Sequence, residues 1–225
     1  MNDSKLLDII RDSLKIDDDV IEESYVAQPK HYDLPAESVT QHTKNTHVEL
    51  YENYVKDLNK VSAQLDTARR IESNVNSSEF RSLKLDEVNL LNAVYLHELY
   101  FANSFDPSSE CYTSSLAYMR IQRDWGDFDS WQRDFYGCAM AAREGWVIMG
   151  FSTFLKRYVN IFIDLHTGNI PIGFYPVIVT DLWTHAFRDY DNDRREYIVT
   201  QMRELNWNVI EERCKRAEKI AEAVQ

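Results

Sequence analysis

The sequence predicts an α+β protein: an N-terminal helical hairpin lobe followed by an α+β lobe with a three-stranded antiparallel sheet. Two observations carry this. In the first half, apolar residues recur every three or four positions, the period of a helix with one buried face. In the second half, three short β-branched and aromatic runs are bounded by turn residues and read as strands. Helices first and strands later, without strict alternation, point to segregated layers rather than a parallel sheet.

Taken in order, Ser4 to Ile16 carries Leu6, Leu7, Ile9, Ile10 and Leu14 at helical spacing, and Asp17-Asp18-Asp19 interrupts it. Tyr25 to Pro35 is expected to be extended, because Pro29 and Pro35 push their neighbours toward β or polyproline geometry. Residues 1–35 therefore read as an extension that docks on its own domain or on a partner. Thr40 suits the N-cap of a long helix to about Thr67, with Val48, Tyr51, Val55, Leu58 and Leu65 as its apolar stripe. Asn74 to Ser82 reads as a loop. A second helix, from about Lys84 to Ser104, is apolar on most sides, and the two pair as an antiparallel hairpin. Asp106-Pro107-Ser108-Ser109 is the expected domain boundary. The expected division is thus 1–35 extension, 36–107 helical hairpin and 108–225 α+β metal-binding domain. Beyond the boundary, Leu116 to Asp124 and Asp129 to Arg143 read as helices. Gly145 to Phe151, Tyr158 to Asp164 and Tyr175 to Thr180 read as strands, with a turn at Asn169 to Gly173. Asp193 to Met202 and Val209 to Val224 close the chain as helices.

The chain has 225 residues and a formal charge of -12. That acidity argues against nucleic acid or an anionic membrane as the main partner, and no apolar run approaches a bilayer span. Cys111, Cys138 and Cys214 form no CxxC pair and no even framework, which suits reduced thiols in a cytoplasmic compartment.

The chemistry concentrates in Asp181-Leu-Trp-Thr-His185, read together with His47 and His97. One carboxylate and three imidazoles suit a first-row metal such as iron, manganese, zinc or copper. The spacing of Asp181 and His185 would put both heads on one side of a helical turn.

Four blocks, in order, resemble the iron/manganese superoxide dismutase family over about residues 33–217. They are H-V-E-L-Y-E-N-Y-V-K-D-L-N within 40–59, and N-A-V-Y-L-H-E-L-Y-F-A-N within 81–103. The third runs from W-G-D-F-D-S-W to G-W-V-I-M-G-F within 125–151. The fourth, within 164–213, holds D-L-H-T-G-N-I-P-I-G, P-V-I-V-T-D-L-W-T-H-A-F-R-D-Y and N-W-N-V-I-E-E-R. The resemblance implies iron or manganese, one per chain, superoxide as substrate, and ligands at His47, His97, Asp181 and His185. Strict alignment from Tyr54-Val55 would put the first ligand at Thr46, which cannot replace an imidazole; the H-x-x-L-Y-x-x-Y-V wording gives His47. His42 is read as a surface or capping residue. The resemblance also makes His166 the donor that tunes a metal-bound water, against a solvent-exposed loop histidine. It makes Tyr54 the gateway tyrosine, and Tyr51, Trp146 and Trp183 the pocket wall; the two tyrosines equally suit a core.

Several residues depart from the family pattern. Thr184 stands where the family has a glutamate that bridges a dimer. Arg188 stands where a tyrosine is frequent, and could draw superoxide in against the net charge or sit in a surface ion pair. These departures, with the extension, support a second reading: a dismutase-fold assembly protein in a larger particle, a virion or a ribosome, with a vestigial or structural metal site. An oligomer or larger assembly is expected in either case, with 1–35 as its candidate docking segment.

Overall fold

The computed structural model describes Lys5 and residues 24–35, 37–104 and 106–223. The amphipathic helix expected at Ser4 to Ile16 lies, apart from Lys5, outside them. The described elements are helices α1 (Gln41–Thr67), α2 (Glu79–Asn103), α3 (Leu116–Trp125) and α4 (Phe128–Ala141), strands β1 (Gly145–Ser152), β2 (Arg157–Asp164) and β3 (Phe174–Asp181), then α5 (Arg194–Arg203) and α6 (Trp207–Ala223). Helices followed by a three-stranded antiparallel sheet make this an α+β protein, as the patterning predicts. Among the described residues, no helix is long and apolar enough to cross a membrane.

Two compact units are present. One comprises residues 24–29 and 52–91; the other comprises 30–51 and 92–223. In the first, Val61, Leu65, Ala68 and Leu83 form a small core with Phe80 and Leu90 packed on it. Residues 24–27 run along α1 without regular structure, and α1 supplies the hydrogen bonds that a sheet neighbour would otherwise give. Asp66 Oδ1 accepts from the Ser24 N–H at 2.7 Å, and Ser62 Oγ accepts from the Tyr25 N–H at 2.6 Å. Asn59 both accepts from the Ala27 N–H and donates to its carbonyl, at 2.7 and 2.9 Å. Positions 59, 62 and 66 share one helix face, so three polar side chains hold one extended segment.

Helix α2 starts earlier than the sequence suggests. The Asn-Ser-rich stretch read as a loop to Ser82 ends at Ser78, whose Oγ accepts from the Arg81 N–H at 3.2 Å and caps the helix. Asn74 closes the preceding turn by accepting from the Asn76 and Ser77 N–H groups, both at 3.0 Å.

In the second unit the sheet order is β2-β1-β3, all antiparallel. The β1–β3 register shifts between Met149 and Gly150. A Cβ at Gly150 would meet the Phe174 ring at 2.4 Å, so only glycine lets the strands approach there. The core joins Trp131 and Phe135 of α4 to Val147 and Met149 of β1, Val177 of β3, Ile198 of α5 and Ile210 of α6. Side-chain caps start these helices. Ser115 accepts from the Tyr118 N–H, Asp193 from the Arg195 N–H, and Asn206 from the Val209 N–H. The last cap starts α6 at Trp207, two residues before the expected start.

Candidate metal centre

Helices α1 and α2 present His47 and His97, β3 ends on Asp181, and a turn after it carries His185; all four lie in the second unit. The aspartate and His185 are not on an α-helix, as their spacing had suggested. Asp181 is the last residue of β3, and the Ala186 N–H donates to the Trp183 carbonyl at 2.9 Å to close a four-residue turn. That turn brings His185 back over the strand end.

The four donor atoms lie within 4.8 Å of one another. Around Asp181 Oδ2 stand His47 Nε2 at 3.0 Å, His185 Nε2 at 3.3 Å and His97 Nε2 at 3.8 Å. Two donors on one first-row ion, with bonds of about 2.1 Å, stand about 3.0 Å apart at right angles and about 3.6 Å apart at 120°. The His47 and His185 distances to Asp181 fall inside this range and the His97 distance lies slightly beyond it, so the donor set suits a single ion with a small adjustment of His97. His47, His97 and Asp181 are buried and His185 is half-buried, so burial has placed one carboxylate and three imidazoles where they must satisfy one another or a cation.

Protonation follows. Burial drives the His97 pKa down to about 3, with His47 adding repulsion, and burial also lowers that of His47. Burial works to raise the pKa of Asp181, but hydrogen bonds from His185 and His47 outweigh it and hold the carboxyl well below the usual range. The site therefore holds a carboxylate and neutral buried imidazoles, the states that bind metal.

Neighbours fix the orientations. His97 donates from Nδ1 to the Ala93 carbonyl at 2.6 Å, which leaves the Nε2 lone pair facing the cluster. The Trp183 N–H donates to Asp181 Oδ1 at 2.8 Å, so the other carboxylate oxygen faces the histidines. The His47 ring packs among Phe101, Tyr100 and His185, with centroids at 5.0, 5.2 and 4.7 Å. Trp146 meets the His97 ring edge-on at 4.9 Å, and Trp183 stacks on His185 at 6.3 Å.

His166 is buried rather than exposed to solvent. Leu165 takes φ 56°, uncommon for a branched side chain, and the Gly168 N–H bonds the Asp164 carbonyl at 2.9 Å. This tight turn carries His166 inward against Trp183, at a centroid distance of 5.3 Å. Trp146 Nε1–H donates to His166 Nδ1 at 3.1 Å, which places the imidazole proton on Nε2. Burial lowers the His166 pKa as well.

The other predicted residues fall as follows. Tyr51 is fully buried; its hydroxyl donates to Glu98 Oε1 at 3.0 Å and accepts from the Lys30 N–H at 3.0 Å. Arg188 is exposed at the start of a short 3-10 turn, and its charge is felt at His47, where it disfavours the imidazolium. Tyr54 is half-buried in α1, within the first unit. His42 is exposed, and Thr46 Oγ1 bonds the His42 carbonyl at 2.9 Å.

Three positioning residues were not evident in the sequence. Asp189 accepts from the Thr40 N–H at 2.7 Å and the Thr43 hydroxyl at 3.0 Å. It thereby anchors, from the segment just after His185, the start of the helix carrying His47, where Thr40 Oγ1 caps the helix by accepting from the Thr43 N–H at 3.3 Å. Asn103 pairs with both backbone groups of Val179, at 2.8 and 2.9 Å, and so clamps the end of α2 to β3. Asn92 Nδ2 donates to the His166 carbonyl at 2.9 Å. Each acts across 74 to 149 positions, so no local pattern announces it.

Comparison with known proteins agrees with this geometry. The family described as iron/manganese superoxide dismutases, C-terminal domain, matches residues 113–213. An iron superoxide dismutase of Aquifex pyrophilus is 35% identical over 179 residues, covering 78% of this chain and 83% of that protein. One from Aquifex aeolicus is 34% identical over 205 residues, covering 88% and 95%. A manganese superoxide dismutase of Mycobacterium lepraemurium is 27% identical over 172 residues, covering 74% and 80%.

Proposed function

This chain belongs to the iron/manganese superoxide dismutase family, and from that premise we propose that His47, His97, Asp181 and His185 are the ligands of one iron or manganese ion. The protein is an iron/manganese-type superoxide dismutase. It turns two superoxide anions and two protons into one dioxygen and one hydrogen peroxide. Once bound, the metal supplies one-electron exchange between its trivalent and divalent states.

The protein's own residues prepare that chemistry. Asp181 gives the site a fixed negative charge, and His47 and His97 stay neutral because burial opposes their protonation. The Ala93 carbonyl and the Trp183 N–H lock the ligand orientations. Trp146, Trp183, Tyr100 and Phe101 surround the donors with rings, which lowers the local dielectric and keeps bulk water away. His166 is assigned to the proton side of the reaction: its Nδ1 is held by Trp146, and its proton sits on Nε2. Tyr54 is assigned to the substrate gateway on family resemblance alone. The Arg188 charge is felt at His47, and steering the superoxide anion is its assigned role.

The observation that carries the proposal is the convergence of four donors from four separate segments within 4.8 Å. Its test is His97→Ala, which should lose metal and superoxide decay together; full metal occupancy in that variant would refute the ligand set. The free thiols of Cys111, Cys138 and Cys214 support a reducing, cytoplasmic setting. An oligomer is the working form in this reading. Thr184 lies exposed in the His185 turn, so its self-association uses contacts other than the family's glutamate bridge. Light scattering of the purified protein tests this, and a monomer at micromolar concentration would overturn it.

A further inference from the structure

A cavity of about 570 Å³ opens in the second unit, away from the four ligands. Tyr95, Glu98, Leu99 and Ala102 form its α2 wall, and Val209, Glu212, Arg213 and Arg216 its α6 wall. Lys30, Tyr32, Tyr175, Asn206 and Asn208 complete it.

Its charge is uneven. The two acids are already engaged: Glu98 with Lys30 and Glu212 with Lys215. Neither arginine forms an ion pair among the described residues, although the Arg216 charge helps to lower the pKa of Glu212. Arg213 is only 5% exposed. Its guanidinium donates to Asn103 Oδ1 and to the Val177 and Leu99 carbonyls, at 2.8, 2.9 and 2.8 Å. Those bonds use three of its five N–H donors but supply no opposite charge, and among the described residues no carboxylate lies within ion-pairing distance of it. Its charged neighbour is Arg216, which repels it. Burial lowers the Arg213 pKa to about 10, so it remains a cation at neutral pH. A buried charge without a counter-ion is costly, and a mobile anion relieves that cost. Helix α6 also begins here with Asn206 and Trp207, and adds the positive end of its dipole.

The rest of the wall is aromatic and hydrogen-bonding. Burial raises the pKa of Tyr32 and of Tyr95, so both hydroxyls keep their protons and can donate. Tyr95 is 46% exposed, which leaves part of its ring open to a ligand. We propose that this cavity binds a small organic oxyanion, a phosphate ester or carboxylate carried on a flat ring, with Arg213 and Arg216 facing the anion and the tyrosines lining the ring. The site is separate from the metal centre and independent of the dismutase reading.

The test is calorimetric titration of the full-length protein with adenosine 5′-monophosphate, 4-hydroxybenzoate and inorganic phosphate. One-to-one saturable binding of either ring-bearing probe, tighter than phosphate alone, is expected, and the probe that binds identifies the head group. Arg216→Glu, a surface change, should weaken that binding about tenfold or more while leaving superoxide decay unaltered. No saturable binding of either ring-bearing probe, or equal binding by the Arg216→Glu variant, would overturn the proposal. Inorganic phosphate binding as tightly as the ring-bearing probes would overturn its aromatic part.

Discussion

Replacing Trp146 with phenylalanine should uncouple His166 from its hydrogen-bond donor, and the cost can be worked from the structure. Trp146 is fully buried and His166 is 4% exposed, so water cannot easily substitute. The Nε1–H to Nδ1 bond spans 3.1 Å. Leaving a buried acceptor unsatisfied costs about 1–3 kcal/mol. The smaller ring also loses packing against His97, whose centroid lies 4.9 Å away. A large-to-small core change of this size adds about 1 kcal/mol. The sum, about 2–4 kcal/mol, corresponds to a fall in Tm of about 4–16 °C for a chain of this length. Reversible urea unfolding of metal-free protein measures it without ligand binding adding to the stability. A double-mutant cycle with His166→Leu isolates the hydrogen bond from the packing loss, and a coupling of about 1 kcal/mol is expected. A coupling within about 0.3 kcal/mol of zero would refute the claim that this bond orients His166.

Other outcomes follow from the same geometry. His166→Gln should retain metal, because the residue is not a ligand, yet shift activity or metal preference; unchanged behaviour on both counts would remove His166 from the proton side. Asp189→Ala should cost about 1–2 kcal/mol through loss of its charged hydrogen bonds to the start of α1. It should also weaken metal retention about tenfold by loosening the helix that holds His47, as competition with a chelator would show. Glu218 accepts two bonds from Arg120, at 2.8 and 2.7 Å, and one from Tyr158. Burial works to raise its pKa, but the Arg120 pair outweighs it, so the folded value lies below the ordinary 4.5. A depressed folded pKa means that its stabilising effect is complete above about pH 4.5 and fades as the pH falls through the folded value. Glu218→Gln should therefore flatten the loss of stability in that acid range, and an unchanged pH profile would contradict the assignment.

The sequence revealed what local patterning encodes. The strands stood out because Val, Ile, Phe and Tyr cluster between turn residues, and their observed limits differ from expectation by about one residue at most ends. The wording around His47, His97, Asp181 and His185 singled out four residues that the structure gathers into one cluster. The start of α2 was misread because Asn and Ser suggest a loop, when Ser78 in fact caps the helix. The spacing of Asp181 and His185 suggested a helix, but a strand end and a turn give the same convergence. The long-range supports stayed hidden. Asp189 anchors the start of a helix 149 positions away, and nothing beside it in the chain advertises that bond. Asn103, Arg213 and the ladder of Asn59, Ser62 and Asp66 likewise gain their meaning only from distant backbone groups.

The central claim is that the four converging donors hold a redox-active ion that disproportionates superoxide. Elemental analysis of the untagged protein, with superoxide decay measured on the same sample, tests it most directly. The account predicts close to one iron or manganese per chain together with rapid decay. Zinc or no metal, with decay no faster than in buffer, would contradict it.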